Sequence, residues 1–172
     1  MKFKLPYPKE VIRHFKNPKN VGIIKNADGI GEAGNLICGD VMKLYIKVKE
    51  DKKGKKKISD IKFQTFGCIV AIGVSSMLTE IVKGKTIEEA IKITKDDILK
   101  KSGPLPPIKI HCSVLAVDAL HEAIYDYFLK NNLSIPEKLK RKHERIVKTI
   151  KKLEKQHKEF LKLEKSILRE KK

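Results

Sequence analysis

The hydrophobic pattern is clearest in residues 41–66, where two segments alternate between apolar and polar positions with a period of two. Residues 41–48 place lysines on one face and four apolar side chains on the other, namely Met42, Leu44, Ile46 and Val48. Residues 58–66 alternate in the same way, and the polar stretch 50–57 between them is rich in lysine. Such alternation is typical of half-buried strands. The two segments therefore predict an antiparallel hairpin with an exposed basic tip.

Helical spacing dominates much of the remaining chain. Residues 69–82 are apolar on nearly all sides and end at Lys83-Gly84, which predicts a buried helix closed by a glycine. Short helices are expected to open at the capping boxes of residues 86–89 and 94–97. The further predicted helices of the first 130 residues cover 8–16 and 113–129.

Two stretches rich in glycine or proline are predicted to lack both helix and strand. Residues 22–34 are glycine-rich and polar, which indicates a loop, and residues 103–107 must be extended or turn. The extended path is expected to continue through Lys109 and His111. Because alternate residues of an extended chain share a side, those two side chains are expected to point the same way.

From Leu139 onward the spacing is heptad-like and predicts one helix of about 35 residues, roughly 50 Å long. The stripe consists of Leu139, His143, Ile146, Ile150, Leu153, His157, Phe160, Glu164 and Ile167. Two histidines and a glutamate interrupt it, which disfavours a coiled coil. The stripe is expected to pack on the rest of the protein or on a second copy in a homo-oligomer.

These elements predict an α+β fold, a small antiparallel β-sheet flanked by helices, with a long C-terminal helical extension. The predicted boundary separates a domain of residues 1–130 from a basic helical extension of residues 131–172. No apolar run approaches the roughly 20 residues of a membrane span, and the first residues lack the apolar core of a signal peptide. Three cysteines without close pairs are typical of a reducing compartment. The expected location is cytoplasmic, with no membrane partner.

The formal net charge of +18 would suit a nucleic-acid binder. Half of that charge lies in residues 131–172, where 15 basic and 6 acidic residues leave +9. The chain has 6 phenylalanines and 4 tyrosines, and none alternates with basic residues as a base-stacking surface requires. Solvated lysines explain the charge better, and nucleic-acid binding through the tail is kept only as an alternative function.

The three cysteines carry the candidate chemistry. Cys38, Cys68 and Cys112 lie far apart in sequence, and Asp40 and His111 stand close to two of them. Three thiols with a carboxylate and an imidazole suit a metal or iron–sulfur centre better than a disulfide framework. Cys68 and Cys112 are both expected at helix N-termini, where the helix dipole lowers the pKa of a thiol and stabilises the thiolate.

The neighbours of these cysteines offer a fourth ligand. Asp40 follows Cys38 by two positions, and Gly39 permits a bend between them. A carboxylate is a hard ligand, so beside thiolates it would make the site easy to vacate. His111 is the alternative ligand or a donor to sulfur, and Lys109 is expected to neutralise negative charge or to pair with Asp40. The histidines expected at surface or cap positions, without partners, are His14, His121, His143 and His157.

Four segments of the chain resemble the IscU/NifU-type iron–sulfur cluster assembly scaffolds, in the family's order. They are residues 7–22 (YPKEVIRHFKNPKNVG), 38–44 (CGDVMKL), 66–68 (FGC) with Ala71-Ile72 and Ser75-Ser76, and 105–116 (LPPIKIHCSVLA). The resemblance runs from about Tyr7 to Phe128. The tail after residue 129 exceeds the family pattern, and nothing in the resemblance explains it.

The resemblance implies a scaffold and not an enzyme in the turnover sense. Such a scaffold accepts sulfur as persulfide from a pyridoxal-phosphate cysteine desulfurase, takes up iron and electrons, builds a 2Fe–2S cluster and passes it to apo-proteins. The stretch from Leu105 to Lys109 is similar to the family's docking motif for a specialised Hsp70-type chaperone.

The resemblance also implies roles for individual residues. The family's three cysteine ligands fall on Cys38, Cys68 and Cys112, and its labile carboxylate falls on Asp40. Its site histidine and site lysine correspond to His111 and Lys109. The family's sulfur acceptor, which becomes the persulfide, falls on Cys112.

Two alternatives concern the same residues. A zinc-binding structural or regulatory protein would use the same thiols and carboxylate, and zinc is also expected as an adventitious substitute for iron on a scaffold. An enzyme with Cys112 as nucleophile and His111 as base is disfavoured, because adjacent residues on an extended segment point to opposite sides and no third, orienting group is evident.

Overall fold

The centre of the fold is a three-stranded antiparallel sheet, seen in a computed structural model that describes residues 6–36 and 38–170, with side chains up to residue 159. The strands follow the order β1 (Gly29–Gly34), β2 (Val41–Glu50) and β3 (Lys56–Phe66). The central strand β2 pairs with both neighbours. The predicted hairpin is therefore confirmed, and its strands run two residues further toward the tip than the alternation indicated.

One face of the hairpin forms the floor of the core. Met42, Leu44 and Ile46 of β2 are fully buried, as the alternation predicted. On β3 the buried partners are Ile61, opposite Ile46, and Phe63, opposite Leu44. Cross-strand apolar pairs of this kind stabilise the register, because a slip of one residue would turn them all toward water.

The prediction of a loop over residues 22–34 is wrong for its second half, which forms strand β1. A side chain at Gly29 or Gly31 would overlap the backbone of the helix that packs across the strand, at Ala123 and Ala119 respectively. Glycine therefore allows direct backbone contact between strand and helix. The local sequence pattern does not reveal this contact, because the contact involves residues about 90 positions later in the chain.

Six helices surround the sheet in the described part of the chain. They are α1 (Lys9–Lys16), α2 (Ile69–Val82), α3 (Ile87–Ile91), α4 (Lys95–Ser102), α5 (Ile110–Lys130) and α6 (Glu137–Glu170). The predicted capping boxes are both present, at Thr86 with Glu89 and at Thr94 with Asp97. Each satisfies backbone N–H groups that the first helical turn leaves unpaired.

Helix α5 begins earlier than predicted. A single 3-10 turn (Pro107–Lys109) leads directly into Ile110, so Lys109 and His111 lie in helical and not in extended backbone. The expectation that their side chains share a side of an extended strand is therefore wrong. The proline pair Pro106-Pro107 explains the early start, because proline has the backbone angle that suits the first turn of a helix.

The core lies between the sheet and the helices α2 and α5. Both helices are buried along most of their length, as predicted for residues 69–82. Helix α1 crosses α2 closely, and a side chain at Gly73 would come within 2.8 Å of the Val11 carbonyl oxygen. No helix in the described residues combines the length and the apolar character needed to cross a membrane.

The predicted C-terminal helix is present as α6 and is 34 residues long. Its stripe packs on the protein itself, because Leu139 and Ile146 are buried and Ile150 packs against the same core. The remaining stripe residues from Phe160 onward lie beyond the described side chains. The domain boundary near residue 130 stays a prediction, although the connection between α5 and α6 spans residues 131–136.

Three of the histidines expected to lack partners have them. His14 is buried, with Nδ1 2.8 Å from the Ser76 hydroxyl. His121 is buried between α5 and α6, and the His143 ring stacks on Tyr125 at 3.9 Å. Each partner comes from another element, which the pattern of a single helix does not show. His157 is exposed, as expected.

Candidate metal centre

Three elements bring the cysteines together. Cys38 lies in the turn between β1 and β2, Cys68 is the N-cap of α2, and Cys112 is the third residue of α5. The Cys68 and Cys112 sulfurs are 3.7 Å apart. Two thiolates bound to one tetrahedral metal with bonds of about 2.3 Å would lie about 3.8 Å apart. The observed spacing therefore fits coordination of a single metal atom by both sulfurs.

Asp40 lies at the centre of the group. Ligand atoms of Asp40, Cys68 and Cys112 all lie within 4.8 Å of one another, and so do those of Cys38, Asp40 and His111. The two sets share only the carboxylate, which is buried. Its Oδ2 is 4.0 Å from the Cys112 sulfur. The five candidate ligands named from the sequence therefore form two adjacent sets that meet at Asp40.

The turn that carries Cys38 and Asp40 is held by Asn35. Its side-chain oxygen accepts a hydrogen bond from the Cys38 N–H at 3.3 Å, and its carbonyl accepts one from Gly39 at 2.9 Å. Its own N–H donates to the Asp40 carbonyl at 2.9 Å. Gly39 has a φ of +72°, which favours glycine. Asn35 was not singled out from the sequence, and an asparagine three residues before a Cys-Gly turn was the available signal.

Gly67 makes room for the carboxylate. A Cβ atom at this position would lie 3.1 Å from Asp40 Cγ and 2.9 Å from the Ala71 side chain. Ordinary carbon–carbon contacts are about 3.5–4.0 Å. The glycine before Cys68 thus allows Asp40 to approach the N-terminus of α2, a role that the motif alone does not show.

The expectation that a helix N-terminus favours the thiolate at Cys112 is not met. Burial raises the pKa of the Cys112 thiol, and the neighbouring Cys68 raises it further. Desolvation also raises the pKa of Cys38, although that residue is exposed as a whole. In a buried position the loss of hydration outweighs the helix dipole. A bound cation, which displaces the thiol protons, must supply the compensating charge.

Lys109 faces the thiols. The charge on Cys68 is the main cause that raises the pKa of Lys109, and Cys112 contributes in the same direction. This contact supports the expected neutralising role. Asp40 is not among the groups named as shifting the pKa of Lys109. The lysine reaches the site from the 3-10 turn and not from an extended strand.

His111 offers a buried nitrogen. Its Nε2 is buried and has no hydrogen-bond partner among the described residues. Leaving a buried polar atom unpaired costs about 1–3 kcal/mol. The imidazole lies in the ligand set with Cys38 and Asp40, so one of its ring nitrogens is within reach of a cation bound there. The donor set of thiols, carboxylate and imidazole fits a metal or cluster.

Comparison with known proteins matches this chain to one family. The model of the NifU-like N terminal domain covers residues 6–134. The iron-sulfur cluster assembly scaffold protein IscU 1 of Archaeoglobus fulgidus is 58% identical over 125 residues, which are 73% of this chain and 78% of that protein. The IscU scaffold protein of Aquifex aeolicus is 50% identical over 124 residues, covering 72% and 77%.

Solved structures agree with the fold. The crystal structure of FiSufU from Fervidobacterium Islandicum AW-1 is 25% identical, covers 69% of this chain and 96% of its own, and superposes with a TM-score of 0.54. The N-terminal part of a NifU-like protein from Brucella abortus is 20% identical and covers 71% and 94%, also with a TM-score of 0.54. The chain belongs to the family of NifU-like N-terminal domains, which includes the IscU scaffolds.

Proposed function

We propose that this chain is a scaffold that assembles a 2Fe–2S cluster and passes it to apo-proteins. The observation that carries the proposal is that three thiols and one imidazole gather around a single buried carboxylate, in two ligand sets that share Asp40. The names of the most similar relatives, which are scaffolds of iron–sulfur cluster assembly, support it.

The proposed ligands are Cys38, Cys68 and Cys112, with Asp40 as the oxygen ligand. Thiolates hold iron well, whereas a carboxylate is a harder and weaker partner in such a site. Asp40 belongs to both ligand sets, so its departure would loosen both at once. A single weak ligand at the centre makes the cluster transferable, as a cargo must be.

Sulfur enters as persulfide in this proposal, with Cys112 as the acceptor. The Cys112 thiolate attacks the outer sulfur of a persulfide on a cysteine desulfurase, one S–S bond forms, and the desulfurase cysteine leaves as thiolate. The transferred sulfur must then gain two electrons from a reductant to become sulfide. Cys112 is fully buried and burial raises the pKa of its thiol, so the site must first open to water and the thiol must lose its proton there before the transfer.

His111 and Lys109 complete the proposed site. The His111 imidazole can replace Asp40 as a ligand or donate to sulfur, since both side chains belong to one ligand set. The Lys109 ammonium lies against Cys68 and offsets the negative charge of thiolates and sulfides. Both residues act through charge and coordination. A scaffold needs these contributions even though it catalyses no reaction.

The stretch from Leu105 to Lys109 is proposed as a docking segment for an Hsp70-type chaperone. Ile108 is 74% exposed and available to a partner, whereas Leu105 is buried. A chaperone that bound the whole stretch would withdraw Leu105 from the core. It would also displace Lys109 and the first turn of α5, which carries Cys112. Chaperone binding would thus favour release of the cluster.

The proposed domain organisation is a scaffold domain of residues 1–130 and a helical extension of residues 131–172. The family model ends at residue 134, before α6 begins at Glu137. In this proposal the extension lies outside the scaffold domain.

Zinc binding is the second candidate function. The 3.7 Å spacing of the Cys68 and Cys112 sulfurs fits tetrahedral zinc as well as it fits iron. A zinc protein would keep its metal, whereas a scaffold would exchange zinc for iron and sulfide.

Anaerobic reconstitution with iron, sulfide and a reductant tests the proposal. We expect visible absorption bands with iron and acid-labile sulfide in equal amounts, even when the starting protein contains zinc. A Cys68→Ser variant should form much less cluster. A protein that remains colourless and retains zinc through the treatment would contradict the scaffold function and favour the zinc protein.

A further inference from the structure

The helix α6 lies outside the matched family domain but runs along the helix that carries Cys112. Three hydrogen-bonded pairs join the two helices, Lys142 with His121 at 2.9 Å, His143 with Glu122 at 2.8 Å, and Arg145 with Asp118 at 2.7 Å. Further along α6 the partners lie earlier on α5, since Arg145 pairs with Asp118, three residues before His121, and Thr149 lines a cleft with Val114. The helices are therefore antiparallel, and α6 runs back toward the N-terminal end of α5, where the candidate site lies.

Near that end α6 reaches the turn formed by residues 35, 36 and 38–40, here called the Cys38 loop. A side chain at Gly34, which precedes the loop, would overlap Leu153 of α6. A cleft of about 250 Å³ separates the loop from the two helices. Its lining includes Asn35 and Leu36 of the loop, Val114 and Asp118 of α5, and Arg145 and Thr149 of α6.

Asn35, which lines this cleft, also holds the backbone of the candidate ligands. Asn35 forms hydrogen bonds with the backbone of Cys38, Gly39 and Asp40. A shift of Asn35 would therefore move both a thiol and the central carboxylate. Asn35 thus lines the cleft beside α6 and also holds the backbone of two candidate ligands.

Arg145 is the charged member of α6 beside the loop. Its guanidinium pairs with Asp118, whose side chain is only 15% exposed. Burial raises the pKa of Asp118, and Arg145 opposes that change. Without the guanidinium, this buried carboxylate would keep only the weaker influence of Lys142 as counter-charge. Arg141 offers a contrast, because it pairs with Glu137 and both side chains are mostly exposed.

We propose that α6 is a buttress for the Cys38 loop, with Arg145 as a positioning residue that holds Asp118 at the cleft which Asn35 also lines. The buttress restrains the loop and so sets how tightly the site holds metal. The second part rests on the proposed function, because it takes Cys38 and Asp40 as ligands. The restraint itself concerns the loop alone and is measurable without metal.

Amide hydrogen exchange on the full-length, metal-free chain tests the restraint. In Arg145→Ala we expect exchange at residues 35–40 to accelerate about fivefold, as local opening becomes easier. Arg145→Lys should restore most of the protection, and the control Arg141→Ala should leave the loop unchanged. Loop exchange equal to that of the control, or acceleration spread evenly over the whole chain, would overturn the proposal.

Cobalt(II) titration of the same proteins tests the link to the site. We expect Arg145→Ala to weaken cobalt binding about threefold to tenfold, near the low end for residues that position ligands. Leu153→Asp, which disturbs the same contact without touching the ion pair, should have a similar effect. Faster loop exchange with unchanged cobalt affinity in both variants would refute the link. Failure of the wild-type protein to bind cobalt would instead refute the proposed function and leave the restraint standing.

Discussion

Replacing Gly67 by alanine should displace the central carboxylate of the site. The new Cβ would lie 3.1 Å from Asp40 Cγ, 3.2 Å from Asp40 Oδ2 and 2.9 Å from the Ala71 side chain. Ala71 lies on the buried helix α2 and has little freedom to move. To restore ordinary contacts of about 3.5–4.0 Å, Asp40 must withdraw by about 0.5 Å.

This displacement should affect binding more than folding. Overpacking of one methyl group costs about 1–3 kcal/mol of unfolding free energy. Because Asp40 belongs to both ligand sets, we expect the dissociation constant for cobalt(II) to rise about tenfold, or about 1.4 kcal/mol. The titration is followed by the visible absorption of the bound metal, with unfolding by urea as a parallel measurement.

Gly84→Ala is the matched control for Gly67→Ala. Gly84 has a φ of +87°, and the methyl group of an alanine there would meet no atom within 4 Å, so the substitution strains only the backbone. We expect a loss of about 1 kcal/mol in stability and no change in cobalt binding. Wild-type cobalt affinity in Gly67→Ala, with the expected destabilisation in both variants, would refute the positioning of Asp40 by Gly67.

Three further predictions concern other parts of the chain. Asp40→Ala should make the reconstituted cluster exchange more slowly with a chelator, although metal affinity falls, because the labile oxygen ligand through which exchange begins is gone; faster loss would count against its labile role. Ser76→Ala should cost about 1–3 kcal/mol in urea unfolding, because it removes the hydroxyl that bonds His14 and the Lys19 N–H; an unchanged midpoint would contradict this. Burial lowers the pKa of His121 to about 4, so the unfolded chain takes up a proton below about pH 6.5 before the folded chain does. Stability should therefore fall by about 2 kcal/mol between about pH 7.5 and pH 5, and His121→Leu should flatten this slope; an equal slope in the variant would refute the assignment.

The parts of the fold that follow from local pattern could be predicted. The hairpin follows from alternation, because one face of β2 is buried and the other meets water. The start of α3 follows from its capping box, in which Thr86 and Glu89 exchange hydrogen bonds within one turn. Both depend on neighbours in sequence, which are visible in the chain itself.

The parts of the fold that depend on contacts between distant residues could not be predicted from the sequence. Strand β1 contains glycines because the backbone of α5 packs directly against it. Without knowledge of that contact, a glycine-rich segment indicates a loop. The partners of His121 and His143 come from packing between α5 and α6. Such contacts are set by tertiary structure and leave no periodic signal.

The candidate site, too, could be predicted from the sequence only in part. The motifs identified all five ligand candidates, because their residue types are unusual together, and the structure brings them within reach of one another. The protonation of Cys112 was misjudged, since a helix N-terminus is visible in sequence whereas burial is not. The supporting role of Asn35 was missed for a similar reason, because its hydrogen bonds depend on the closed shape of the turn.

The most direct test of the scaffold function is transfer of the cluster. The reconstituted full-length protein is mixed anaerobically with an apo-ferredoxin and a chelator that traps free iron, and the circular dichroism of the ferredoxin cluster is followed over time. We expect the ferredoxin to acquire its cluster despite the chelator, and faster than from iron and sulfide in solution. A cluster that stays on this chain, or that reaches the ferredoxin only when the chelator is omitted, would contradict the scaffold function.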